Sequence, residues 1–262
     1  MLVHVVGRSA MLPEAMSTYL SEGGHSDEVV QAWSKPCYQF DPYRIVEFMG
    51  RICYDSFGPG PNLNITRMPS QVPSDYVRSL IDKGHLSVLR HVTLSFAFQD
   101  VPICVTRELL RHQVGVAISE ESTRYVRRGF TEVHVPEDIS RYISTRTAFH
   151  DVIDDINLAQ RKMASALGLF DDDVSMEDRK RITGALRYLT PLGAYTNFGW
   201  TANIQALRQV IVARTNPAAD PEIRRLFSLV GERLGEMYPA FMHNIKVVDD
   251  SDDRRLVYAN VK

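Results

Sequence analysis

Hydrophobic positions recur along this chain with two periods, and a change of period marks a change of element. From Asp41 the run DPYRIVEFMGRICYDSF has helical spacing: Asp41 can cap it, Pro42 fits its first turn, and Ile45, Phe48, Met49, Ile52 and Cys53 fall on one face. The Pro/Gly-rich stretch FGPGPNLNITRMPSQVP breaks that helix and reads as a loop. A second helix from Ser74 turns Tyr76, Val77, Leu80 and Ile81 inward and stops at Gly84. Residues 93–99 then alternate, Leu94, Phe96 and Phe98 against Thr93, Ser95 and Ala97, as a half-buried strand does; Pro102 ends it. Helical spacing resumes through Ile103, Val105, Leu109 and Leu110, which places Arg107, Glu108, Arg111 and His112 near one helix end. VGVAIS reads as loop and STRYV as a short strand.

Past Ile139 a long, charge-rich helical region runs to about Leu169, packed on one side. Asp171, Asp172 and Asp173 form a solvated turn, and Ser175 with Asp178 makes a capping pair for a helix that ends near Arg187 and Pro191. AYTNFGWTAN reads as a strand or extended connector, and IQALRQVIVAR as a buried helix ending at Arg214. Asp220 and Pro221 start a last long helix with Ile223, Leu226, Phe227, Val230 and Leu234 inward. Helices interleaved with few strands predict an α+β fold.

Composition narrows the function classes. With 262 residues and 44% hydrophobic content the chain can bury a substantial core, so one compact domain over 1–262 with helical additions is expected. The net charge of -2 offers no global basic field for a nucleic-acid polymer. No apolar run reaches the roughly 20 residues of a membrane span, and MLVHVVGRSAMLPEAM has neither a basic start nor a sustained apolar stretch, so a cytoplasmic protein is expected. Cys37, Cys53 and Cys104 are odd in number and far apart, which suits reduced thiols and gives no metal site.

Polar groups collect in four places: residues 85–91, 107–113, 119–125 and 203–214. Arg107, Arg111, Arg124, Arg127 and Arg128 are interleaved with Glu108, Glu120, Glu121 and the hydroxyls of Ser119, Ser122 and Thr123. Arginine forks suit phosphate oxygens and the edge of a uracil ring, and hydroxyls beside backbone N–H groups complete an anion cradle. On charge pattern alone, a surface loop laced with ion pairs accounts for the same residues. His91 can stack on a planar ligand or hydrogen-bond in a core. Arg187 and Arg214 can bind an anion or interact with helix dipoles. Lys35-Pro36-Cys37 has the form of a Pro-Cys nucleophile, yet only Lys35 is there to lower the thiol's pKa, so an inert loop thiol is expected. No Gly-rich strand-to-helix turn marks a Rossmann site.

Taken together, the four places resemble the flavin-dependent thymidylate synthase family, ThyX. That family reads Arg-His-Arg, several residues, then Asn-Glu-x-Ser-x-Arg-Tyr; this chain has Arg111-His112-Gln113, VGVAI, then Ser119-Glu120-Glu121-Ser122-Thr123-Arg124-Tyr125. GHLSVLRHVTLSF is similar to the family's Gly-His-x-Ser-x-x-Glu-His segment, and LRYLTPLGAYTNFGWTANIQALRQVIVAR to its Arg-x-x-x-Pro, Thr-x-Asn and Leu-Arg stretch. The likeness spans about 44–242 and implies a small antiparallel sheet flanked by helices. It also implies a homotetramer whose sites are shared among subunits around FAD, a uridylate and methylenetetrahydrofolate, with NAD(P)H as reductant. By the same resemblance Arg214 orients the uracil ring, and Ser122 is placed with it in the catalytic group. Glu108, Arg111, Glu120, Ser122, Thr123, Arg124 and Arg187 surround the nucleotide. Arg111, His112, Gln113 and Asn203 fall at flavin positions with His91, and Gln205 and Gln209 stand nearby. His91 and Tyr125 match positions where the folate and flavin rings stack.

The departures bear on substrate. Gln113 replaces an arginine, the loop before Ser119 is one residue longer, Arg90 stands where glutamate is common, and Gln205 and Ala218 replace residues often arginine and histidine. Two cationic groups near the cofactor phosphates are thereby lost unless Arg90 or Arg208 substitutes. A longer loop gives room for a 2′-hydroxyl, which favours UMP over dUMP, as in the UMP-methylating branch of the family found in polyoxin antibiotic biosynthesis. A flavin-free nucleotide-binding relative and a helical interaction protein stand as readings from other classes.

Overall fold

The computed structural model describes residues 1–35, 41–58, 70–126, 132–250 and 253–258. Its elements are β1 (Leu2–Arg8), α1 (Pro13–Glu22), α2 (Asp27–Ser34), α3 (Asp41–Ile52), α4 (Pro73–Asp82) and a 3₁₀ segment, Leu86–His91. There follow β2 (Thr93–Pro102), α5 (Ile103–Leu109), β3 (Val116–Glu120), α6 (Glu137–Ser140), α7 (Ile143–Ala166) and α8 (Met176–Leu186). The chain continues through β4 (Tyr195–Asn203), α9 (Ile204–Arg214), α10 (Pro221–Met237), β5 (Ile245–Asp250) and β6 (Asp253–Tyr258). The first four strands make an antiparallel sheet in the order β1-β2-β4-β3 with helices around it, which is the expected α+β class; β5 and β6 pair as a separate hairpin. Two compact units divide the chain. One holds Met1–Leu2, Phe98–Arg111 and Ile118–Gly199; the other holds Val3–Ala97, His112–Ala117 and Trp200 onward.

In the second unit α9 and α10 carry the core. Ile204, Leu207, Val210 and Ile211 are buried on α9, and Ile223, Leu226, Phe227, Val230 and Leu234 on α10, the face predicted for it. Asn203 and Asp220 cap the two helices through their side chains. Around α3 a second cluster packs Trp33 edge-on to Phe48 and Phe57.

The buried face of α3 matches the predicted one in part: Phe48 is buried and Met49 packs against the Trp33 cluster, but the face is turned towards Glu47. Tyr43, Val46, Glu47, Phe48, Gly50 and Arg51 are buried, while Ile52 and Cys53 are exposed. Glu47, 0% exposed, is the reason: Oε2 accepts from Arg44, and Oε1 from Arg51 and from both the amide and the hydroxyl of Ser70. A carboxylate with that many partners is tolerated inside, and it rotates the apolar stripe away from Ile52. Close by, a Cβ at Gly50 would lie 2.6 Å from the Tyr76 hydroxyl, so any larger residue there would have to displace that ring.

In the first unit α7 and α8 pack through Ala164, Leu169 and Ile182. The predicted cap is present: Ser175 Oγ accepts from the Asp178 amide at 3.0 Å and donates to its carboxylate at 2.9 Å. Those hydrogen bonds, and then Arg181, hold the Asp178 carboxyl below its usual range. Phe98 of β2 stacks on Phe198 of β4 at 4.5 Å.

One pair of expectations is reversed. The VGVAI segment, expected as loop, supplies β3, and Ser122–Val126, expected as a strand, is a turn in which Tyr125 N–H and Val126 N–H both donate to the Ser122 carbonyl. The Ser122 hydroxyl also accepts from Arg124 N–H at 3.4 Å, a local contact of the kind that offers the backbone an alternative to a ladder.

Candidate active site

The nucleotide-binding candidates lie almost wholly in the first unit. Glu120 ends β3, and its Oε1 accepts from the Thr106 hydroxyl of α5 at 3.0 Å. Glu121 clamps onto β4 twice, its amide donating to the Asn197 carbonyl at 2.9 Å and its carboxylate accepting from Asn197 N–H at 3.3 Å. The strand end so fixed presents the Ser122–Val126 turn. Gly184 of α8 leaves space there: a Cβ would stand 3.7 Å from Arg124 Nε. One turn earlier on α8, Lys180 holds its Nζ 5.0 Å from the centre of the Tyr125 ring, and its hydrogen bond lowers the phenol's pKa.

Beside this turn opens a cavity of about 320 Å³. Thr123, Val126, Arg187 and Glu121 line it together with Gln160 and Arg161 of α7. Of the predicted site residues, then, Thr123 and Arg187 share one cavity, with Ser122, Arg124 and Tyr125 on the adjoining turn. Glu108 and Arg111 stand at the end of α5 and are not among the cavity's lining residues.

Of the flavin-position candidates, Arg111 belongs to the first unit and His91, His112, Gln113, Asn203, Gln205 and Gln209 lie in the second. Asn203 caps α9 with Oδ1 accepting from Ala206 N–H at 2.9 Å, while its own amide donates to the Gly115 carbonyl at 2.9 Å. Gly115 has φ +74, and a Cβ there would lie 2.1 Å from Asn203 Nδ2, so this contact admits no side chain. Gln205, in the first turn of α9, accepts at Oε1 from Arg90 Nε at 2.5 Å. Gln209, Gln113 and His91 are exposed.

Arg214 closes the last turn of α9 half-buried, and its Nε donates to His112 Nε2 at 2.7 Å. Burial, and then the charge of Arg214, lower the His112 pKa from its ordinary 6.5. Arg90 and Arg208 differ in exposure and in commitment. Arg208 is 2% exposed and spends its guanidinium on the carbonyls of Phe241 and His243 and on Asn244 Oδ1, whereas Arg90 is on the surface. Cys37, Arg127 and Arg128 lie outside the described residues.

Sequence reasoning missed three participants: Thr106, which tethers Glu120; Gly115, which admits Asn203; and Lys180, which covers Tyr125.

Residues 37–240 match the profile of the family described as thymidylate synthase complementing protein. The chain belongs to this flavin-dependent thymidylate synthase family.

Among its relatives in the flavin-dependent thymidylate synthase family is that of Mycolicibacterium gilvum, 32% identical over 211 residues, or 79% of this chain and 81% of the relative. That of Corynebacterium diphtheriae is 29% identical over 223 residues, covering 84% and 85%, and that of Mycobacterium tuberculosis 30% over 211, covering 79% and 81%. The family segment runs from before α3 to the end of α10 and so includes every candidate residue above; β1, α1, α2 and the β5–β6 hairpin lie outside it. Membership makes the chain an enzyme of the one-carbon methyltransferase kind. Among the described residues no helix is long and apolar enough to cross a membrane.

Proposed function

We propose that this enzyme methylates C5 of a uridine 5′-monophosphate, UMP in preference to dUMP, with methylenetetrahydrofolate as one-carbon donor, FAD as cofactor and NAD(P)H as reductant. The observation that carries the reading is the Arg214–His112 pair, a half-buried guanidinium locked in place by a hydrogen bond at the position that meets the uracil ring in the family. A fixed positive fork there orients the ring through its carbonyl edge and stabilises negative charge as it develops during attack from C5. Ser122, Arg124 and Arg187 take the phosphate, and Glu108, Arg111, Glu120 and Thr123 complete the nucleotide's surroundings. Glu120 is held ready by Thr106.

The donor set of the second unit fits a flavin. Gln113, Gln205, Gln209 and the Nδ2 of Asn203 offer amides for the alternating carbonyl and N–H edge of the ring, and Arg90 offers a cation for the diphosphate. Bound and reduced, FAD would supply the reducing equivalents that finish the transferred carbon as a methyl group. His91 and Tyr125 are the flat surfaces for the folate, and Tyr125 has one contact already in the Lys180 ammonium.

UMP is favoured because the departures gather near these positions, with the additional residue in the segment before Ser119. The second reading, dUMP to dTMP, is favoured by the names of the relatives. A cytoplasmic homotetramer with shared sites is part of the proposal. Of the 24 residues of α7 only Ala164 is buried, while Ile143, Val152 and Leu158 are exposed, a surface suited to subunit contact. Product identification by mass spectrometry tests the reading: purified protein is incubated with FAD, NADPH, methylenetetrahydrofolate and equal UMP and dUMP. A methyl gain mainly on UMP supports it, a gain mainly on dUMP gives the second reading, and no gain on either removes the proposed function.

A further inference from the structure

We propose that His112 is a positioning residue for Arg214, holding the guanidinium through a bond that exists only while the imidazole is neutral, an inference that rests on Arg214 being the group that meets the nucleotide. An arginine Nε is always a donor, so at 2.7 Å His112 Nε2 must present its lone pair and the ring proton must sit on Nδ1. The two residues are 102 positions apart in the chain, and the bond is therefore a product of folding and not of local geometry. An arginine stem has several freely rotating bonds, and an acceptor at Nε removes much of that freedom before the nucleotide arrives.

Protonation reverses the contact. A proton on Nε2 sets two N–H donors and two positive charges against each other, so the interaction changes from attraction to repulsion. Arg214, from α9, is the charged group that bears on the imidazole. With the pKa lowered, His112 stays neutral at pH 7, and its hydrogen bond from Arg214 is lost as pH falls below the ordinary 6.5 and through the depressed value. Nucleotide binding is thereby coupled to pH by a residue that does not itself touch the nucleotide.

Calorimetric titration of the flavin-loaded enzyme with UMP and with dUMP, from about pH 8 to about pH 5, tests this on wild type, His112→Gln and His112→Phe. The glutamine oxygen reaches the place of Nε2 and accepts at every pH. The nucleotide phosphate itself titrates near pH 6, so the decisive quantity is the difference between enzymes with the same ligand. Wild type is expected to lose about tenfold more affinity on acidification than His112→Gln, and His112→Phe to bind about tenfold more weakly throughout, the worth of one charge-assisted hydrogen bond. Equal pH dependence in wild type and His112→Gln overturns the proposal. Nitrogen NMR of the histidines gives a readout independent of the nucleotide: His112 should be the Nδ1–H tautomer, and Arg214→Met should raise its pKa. An unshifted His112 overturns the coupling even if neither nucleotide binds, the outcome that would instead refute the proposed function.

Discussion

Substituting Arg90→Leu should weaken FAD binding by about tenfold and leave riboflavin binding and the fold unchanged. Gln113 and Gln205 stand where relatives of this kind carry arginines by the resemblance, so the diphosphate has lost two guanidinium partners. Arg208 cannot stand in, being buried and committed to Phe241, His243 and Asn244. Arg90 spends its Nε on Gln205 and keeps the two terminal nitrogens as donors. A charge-assisted hydrogen bond contributes about 1.5–3 kcal/mol. Exposure of Arg90 brings the expected value just below that range, to about 1.4 kcal/mol, or one factor of ten. The assay is quenching of flavin fluorescence as FAD is titrated into cofactor-stripped protein, at low and high salt, with riboflavin as the phosphate-free control. The loss should shrink in high salt. An FAD affinity within twofold of wild type at low salt, or an equal loss for riboflavin, refutes the assignment.

Glu47→Ala leaves Arg51 buried without its carboxylate and should cost about 3–5 kcal/mol, a fall of roughly 6–10 °C in Tm by calorimetry, partly restored by adding Arg51→Met; a fall under about 1 °C would show the node to be dispensable. Arg214→Ala should fold and bind FAD yet lose about 10²–10³-fold in turnover, and near-normal turnover would strip it of its role at the ring. Ser122→Ala should raise the nucleotide KM by about three- to tenfold with FAD affinity intact, and an unchanged KM would count against the phosphate cradle.

Where an element's pattern is carried by its own residues, the chain could be read directly. Asp220-Pro221 before α10 and Ser175 with Asp178 before α8 are starts that act within a few residues, and the structure reproduces both, while the Asn203 cap of α9 went unread. The alternation of Leu94, Phe96 and Phe98 likewise set β2 and its buried face. Other elements went unread. β1 has no fully buried position, and α1, α2 and the β5–β6 hairpin lie outside the matched family segment.

Long-range partners decided the rest. Val116–Glu120 is a strand because it pairs with β4, while the β-prone Ser122–Tyr125 turns, its backbone bonded locally to the Ser122 carbonyl and hydroxyl. Periodicity placed Phe48 and Met49 of α3 correctly but put Ile52 and Cys53 inward, since it treats a charge as outward-facing and cannot know that Arg44, Arg51 and Ser70 converge on Glu47. For the candidate site, the sequence by itself determined which residue types are available, in what order, and hence the family. Only the tertiary structure decided that Arg208 is buried and Arg90 exposed, and that Arg214 leans on His112. Those facts depend on hydrogen bonds between residues tens to a hundred positions apart, whose free energy is realised only when the chain has brought them together.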